Sequence, residues 1–160
     1  MTSLSNFSVQ TLEAVDTNLD SLRHTPFPNV NASGTRIKSL VEFPQDVQNL
    51  NVSRTQIADL SPLAKAERLS VLDVSESRVD DILPLVGKKL QLLNISKTNV
   101  AAVPSKISVK ELILTDTPVS QLNTVDLQDL VLLDISRTQV TKTYAWKHTL
   151  GAYAWGQPRS

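Results

Sequence analysis

An α/β solenoid built on a parallel sheet is the fold this sequence predicts, and three observations predict it. First, one pattern recurs seven times: apolar residues at positions 1, 4, 6 and 11, with threonine or serine at position 9. Second, the position-9 column, Thr17, Thr35, Thr55, Ser77, Thr98, Thr117 and Thr138, advances by 18, 20, 22, 21, 19 and 21 residues. A unit that short cannot bury its apolar face alone, so the copies must stack on one another. Third, positions 4 and 6 alternate with small or polar residues at 5 and 7, as in Leu93-Asn94-Ile95-Ser96. That is the period of a strand with one buried face. Strands repeated at this interval run parallel, each followed by a turn and a return segment.

Residues 1–8 contain only Leu4 and Phe7 to close the first repeat, and are expected to form a minimal N-terminal cap. Seven repeats then occupy residues 9–140. The two weakest, Val9-Leu12-Ala14-Thr17-Leu19 and Phe27-Val30-Ala32-Thr35-Ile37, come first. Five clear copies follow, of which Leu90-Leu93-Ile95-Thr98-Val100 is typical. Between strands, Ser61-Pro62 predicts a single helical turn, with the serine as N-cap and the proline at the first helical position. Phe43-Pro44 and Val103-Pro104 predict extended or 3₁₀ returns. An open solenoid exposes core at its ends. Residues 141–160 carry Tyr144, Trp146, Tyr153 and Trp155, aromatics with polar tips suited to an aromatic C-terminal cap.

The pattern L-x-x-L-x-L-x-x-N-x-L resembles that of leucine-rich repeat proteins over nearly the whole chain. Segments such as Ile57-Ala58-Asp59-Leu60-Ser61-Pro62-Leu63 and Val79-Asp80-Asp81-Ile82-Leu83-Pro84-Leu85 are similar to stretches in internalin-like, phosphatase-1 regulatory-subunit-like and protozoan members. The resemblance implies a right-handed superhelix with its parallel sheet on the concave face and an irregular, 3₁₀ or short helical convex side. It also implies protein binding without catalysis. The chain departs from the pattern at position 9, where threonine or serine replaces the usual ladder asparagine. A hydroxyl donates one bond and accepts another, so it can serve part of the same turn backbone.

Composition removes several function classes. Lysine plus arginine equals aspartate plus glutamate at 16 each, without runs of like charge, so neither nucleic acid nor an anionic membrane is expected as a partner. No cysteine is present, which excludes thiolate catalysis and a disulfide framework. His24 and His148 lie far apart along a linear solenoid, against any Ser-His-Asp arrangement. The glycines Gly34, Gly87, Gly151 and Gly156 are too scattered for a phosphate-binding loop. Glu13, Asp73 and Asp134 at position 5 form a row rather than a cage, so no metal is expected, and no cofactor. Asn6, Asn31, Asn51 and Asn94 each begin an Asn-x-Ser triplet, but the last three arise because the repeat favours asparagine at position 5 and serine at 7. The segment Met1 to Gln10 lacks the basic end and apolar stretch of a secretory leader. The expectation is therefore a cytoplasmic protein, with cytoskeletal association as one such setting.

What remains is a surface. Positions 2, 3, 5, 7 and 8 project outward from the sheet. At positions 3 and 5 the first three repeats are polar, with Thr11 and Glu13, Asn29 and Asn31, Asn49 and Asn51. Later repeats place Val71, Leu92 and Leu132 at position 3, Ile113 at position 5 and Val131 at position 2. An exposed contiguous apolar patch marks a partner site. Asp73, Asn94, Lys97, Glu111, Asp134 and Arg137 surround it as a rim of mixed charge suited to orientation. The sequence thus points to a non-catalytic adaptor or scaffold that binds a protein on its concave face. The alternatives are a structural domain of a larger assembly or longer polypeptide, and an extracellular recognition protein. Self-association through the concave face or an open solenoid end, or the C-terminal segment folding back, would equally cover the apolar strands.

Overall fold

The computed structural model of the 160-residue chain describes residues 10–122 and 129–141 and the backbone of Tyr153–Trp155. The expected N-terminal cap, Val9, and Tyr144, Trp146 and His148 of the C-terminal segment lie outside the described residues. A parallel sheet runs in strict chain order: β1 (Thr11–Glu13), β2 (Asn29–Asn31), β3 (Asn49–Asn51), β4 (Val71–Asp73), β5 (Lys89–Asn94), β6 (Ser108–Ile113), β7 (Leu132–Asp134) and β8 (Tyr153–Trp155). The expected register holds: Leu12, Val30, Leu50, Leu72, Leu93, Leu112 and Leu133 align across the strands at position 4. All but Leu12, on the first strand, are buried.

The strands are short because position 8 turns the chain out of the sheet. Asp16, Arg54, Glu76, Lys97, Asp116 and Arg137 occupy this position in the left-handed region, with φ from 53° to 58°, and Gly34 has φ 69°. That conformation costs a non-glycine residue about 1–2 kcal/mol. Backbone bonds between successive repeats offset it. The position-8 N–H donates to the position-7 carbonyl of the next repeat, as Arg54 does to Ser75 at 2.8 Å and Lys97 to Thr115 at 2.8 Å. Position 9 completes the turn as its chemistry suggests. All seven hydroxyls donate to the position-6 carbonyl three residues back, at 2.6 to 2.9 Å.

The returns form the far wall of the core. Two contain 3₁₀ turns, Ser61–Lys65 and Leu83–Leu85. Here the sequence expectation needs one correction. Ser61 is the first helical residue and Leu60 the N-cap, without a side-chain capping bond. Asp59 takes the role instead, its carboxylate accepting the Ser61 N–H at 2.8 Å, and Asp81 does the same for Leu83. An aspartate two residues ahead forms a tight side-chain turn with no need of the serine hydroxyl. In the next repeat, Lys88 Nζ donates to the Ala64 and Ala66 carbonyls at the helix end, at 3.0 and 2.8 Å. The Phe43-Pro44 and Val103-Pro104 returns carry turns and no 3₁₀ helix. Position-1, -4, -6 and -11 side chains from the sheet meet Leu40, Leu60, Ile82 and Leu122 from the returns in a continuous buried column. Each such buried aliphatic side chain contributes about 1.5–3 kcal/mol.

Candidate partner-binding face

The register decides which predicted residues meet. Val71, Leu92, Glu111 and Leu132 form one row across β4 to β7, and Asp73, Asn94, Ile113 and Asp134 form the parallel row at position 5. Val131 adjoins Leu132 and is 62% exposed, the most exposed large apolar side chain among the described residues. The other apolar members are half-buried. Lys97 and Arg137 sit beyond the strand ends in the left-handed column. The row backbones continue into β8, where Tyr153 pairs with Leu132 and Trp155 with Asp134.

The polar residues divide into structural and unengaged. Asp73 accepts the Ser75 N–H and hydroxyl on one oxygen, at 2.9 and 2.7 Å, and the Asn94 side-chain amide on the other at 3.1 Å. Asn94 in turn accepts from Ser96 N–H and Oγ. Asn31 and Asn51 accept the N–H of Ser33 and Ser53. The position-5 side chains are therefore turn-forming parts of the fold, which is why Asn-x-Ser recurs. Asp134 belongs to the same set through Ser136 at 2.9 Å. Burial pushes its carboxyl up, but hydrogen bonds from Ser136 and Thr115 and the charge of Arg137 together outweigh this and hold it below the usual carboxylate range. Ile113 is the exception in the row and leaves the β6 turn without such an acceptor.

The rim cations are less available than the sequence suggests. Lys97 pairs with Glu76 at 3.1 Å, and Arg137 is bidentate to Asp116 at 2.5 Å. Arg54 reaches past Gly34 to Asp16 at 3.0 Å. Sequence reading missed this column of alternating charge because its signal is spread over one residue in each repeat. Glu111 stands apart. It is exposed and makes no side-chain hydrogen bond or ion pair with any described residue. On the early strands the Asn49 amide donates to Asn29 at 2.6 Å, Asn29 donates to the Gln10 carbonyl at 3.1 Å, and Asn31 donates to Glu13 at 2.8 Å. These amides line a shallow depression of about 180 Å³.

Among the described residues no three His, Cys, Asp or Glu side chains come together as a metal site, and no buried side-chain polar atom lacks a partner. No described helix is long and apolar enough to cross a membrane. Two solved structures share this architecture. Internalin C2 of Listeria monocytogenes 4b F2365 superposes with a TM-score of 0.85 at 22% identity, over 93% of this chain and 71% of that one. Internalin F of the same strain superposes with a TM-score of 0.80 at 17% identity, over 91% of this chain and 47% of that one. The chain has the leucine-rich-repeat fold. No protein-family model and no curated protein matches its sequence. In leucine-rich-repeat terms, the eleven predicted site residues lie on the later strands of the concave sheet and along one edge of it.

Proposed function

We propose that the chain is a non-catalytic interaction module that holds a protein partner against the concave face of β4 to β7. One observation carries this. The position-3 row changes from Thr11, Asn29 and Asn49 to Val71, Leu92 and Leu132 with no change of backbone, so the apolar residues meet no need of the fold. Interfaces concentrate their energy in a few apolar or aromatic anchors, and Val131, Leu132, Ile113 and Leu92 form such a group. The partner covers these strands.

The test replaces Leu92, Ile113 and Leu132 together by Ser, Thr and Ser. These side chains point away from the buried column, so the variant should still fold cooperatively, at a cost confined to their half-buried surface. A purified partner isolated on the wild-type chain should bind it at least about tenfold more weakly, since one lost anchor alone costs more than 1 kcal/mol. Asn29→Ala with Asn49→Ala is the control, chosen because Asn31 and Asn51 have turn-forming duties and these two do not. Unchanged affinity in the folded triple variant would move the site off this face.

A further inference from the structure

The apolar patch has a carboxylate at its centre, and that constrains what can cover it. Glu111 lies in register between Leu92 and Leu132, and Ile113 follows it by two residues on the same face of β6. Neighbouring strands are about 4.8 Å apart. A segment that covers Leu92, Ile113 and Leu132 therefore also covers Glu111 and strips its water. A carboxylate buried without a partner is heavily disfavoured. Among the described residues no cation is paired with Glu111: Lys97, Arg137 and Arg54 are each held by a carboxylate of their own column, and the adjacent Lys110 makes no ion pair with it. At positions 2, 3 and 5 of β4 to β7 the carboxylates are Asp73, Glu111 and Asp134, against Lys110 alone, which makes no ion pair with a described residue. The face is acidic and apolar together.

Building on the concave-face reading above, we propose that the occupant is a cationic polypeptide segment, in which a lysine or arginine flanked by apolar side chains pairs with Glu111 while its neighbours rest on Leu92, Ile113 and Leu132. Arginine is the better fit, because its planar guanidinium is more weakly hydrated than an ammonium and can meet a carboxylate with two bonds. Asp73 and Asp134 flank the site with negative charge, and their remaining acceptor capacity favours further basic residues at the ends of the segment. This complementarity sets specificity and encounter rate, and the apolar contacts hold the complex.

The test selects random twelve-residue peptides displayed on phage against the whole chain, then measures the best binder by calorimetry. The expected result is enrichment of arginine or lysine between apolar residues. The selected peptide should bind Glu111→Gln about tenfold or more weakly than wild type, with loss in Leu92→Ser/Ile113→Thr/Leu132→Ser and little change in Lys110→Gln. Replacing the central arginine by glutamate should restore binding to Glu111→Arg. Binders without a central cation, no binders at all, or equal affinity for wild type and Glu111→Gln would overturn the proposal. Loss in the triple variant with no effect of Glu111→Gln would leave the face standing and remove only the cation. Equal binding by the triple variant would remove the face itself. Self-association of the wild type that the triple variant abolishes would identify a second copy as the occupant and overturn the proposal.

Discussion

Thr98→Val tests the hydrogen bonding that replaces the asparagine ladder, and its cost can be worked out from its neighbours. Valine keeps the shape of threonine and removes the hydroxyl. Thr98 is 4% exposed, and its Oγ1 donates to the Ile95 carbonyl at 2.6 Å. No backbone N–H of a described residue bonds that carbonyl. The variant therefore leaves a buried acceptor unpaired, at about 1–3 kcal/mol. Thr117 and Thr138 provide the comparison. Their hydroxyls make the same bond, to Leu114 at 2.6 Å and Ile135 at 2.8 Å, but their own N–H groups also reach those carbonyls at 3.2 Å. Thr117→Val should thus cost about 0.5–1.5 kcal/mol, the net worth of an ordinary bond. Urea unfolding followed by circular dichroism measures both, with unchanged slopes as the check that only stability moved. Equal losses at Thr98 and Thr117, or a neutral Thr98→Val, would show that the hydroxyl is packing rather than bonding.

Leu93→Asp buries a charge at a site 0% exposed in the middle of the sheet and should abolish cooperative unfolding; a soluble variant with an unchanged melting temperature would disprove the register. Gly34→Ala and Gly87→Ala both place a side chain at positive φ, 69° and 82°, and should each cost about 1–2 kcal/mol. Only at Gly34 would the new Cβ fall 1.9 Å from Asp16 Oδ1, so only that variant should lose the salt-sensitive contribution of the Asp16–Arg54 pair, a difference read by unfolding at low and high ionic strength. Acid stability should depend on Asp59 and Asp134, whose carboxyls are held below the usual range, Asp59 by hydrogen bonds from Ser61. A folded pKa below the unfolded value of about 3.9 means a contribution complete above that value and lost as pH falls through the folded pKa. Asp59→Asn with Asp134→Asn should flatten the fall in urea midpoint below about pH 4, and parallel curves for variant and wild type would refute the assignment.

The spacing of apolar residues showed the register in advance because a solenoid repeats one local decision. Each copy reports the same inward positions, so even Ala14 and Ala32 find their column despite their small size. The Thr column was equally visible, since a hydroxyl at fixed distance from a strand end has few backbone groups within reach. What the sequence could not show was pairing between repeats. Whether Lys97 meets Glu76 or the nearer-seeming Asp116 depends on side-chain reach across strands, and Ser61 and Asp59 compete for one N–H within three residues. Composition ranks such contenders poorly, and geometry decides them.

That limit bears on how the binding face is read. From sequence, Asp73, Asn94, Lys97, Asp134 and Arg137 look like one mixed rim of equal members. The structure separates them, because all four position-5 acceptors from β2 to β5, and Asp134 beyond them, bond serine N–H groups that would otherwise lose their partners, while Lys97 and Arg137 are tied to carboxylates of their own column. Exposed ion pairs of this kind contribute about 0–1 kcal/mol to stability, yet they neutralise the edge and leave the charge of the face to its interior. On the proposed reading, specificity rests on Glu111, which makes no side-chain bond within the described fold and stands in register between Leu92 and Leu132.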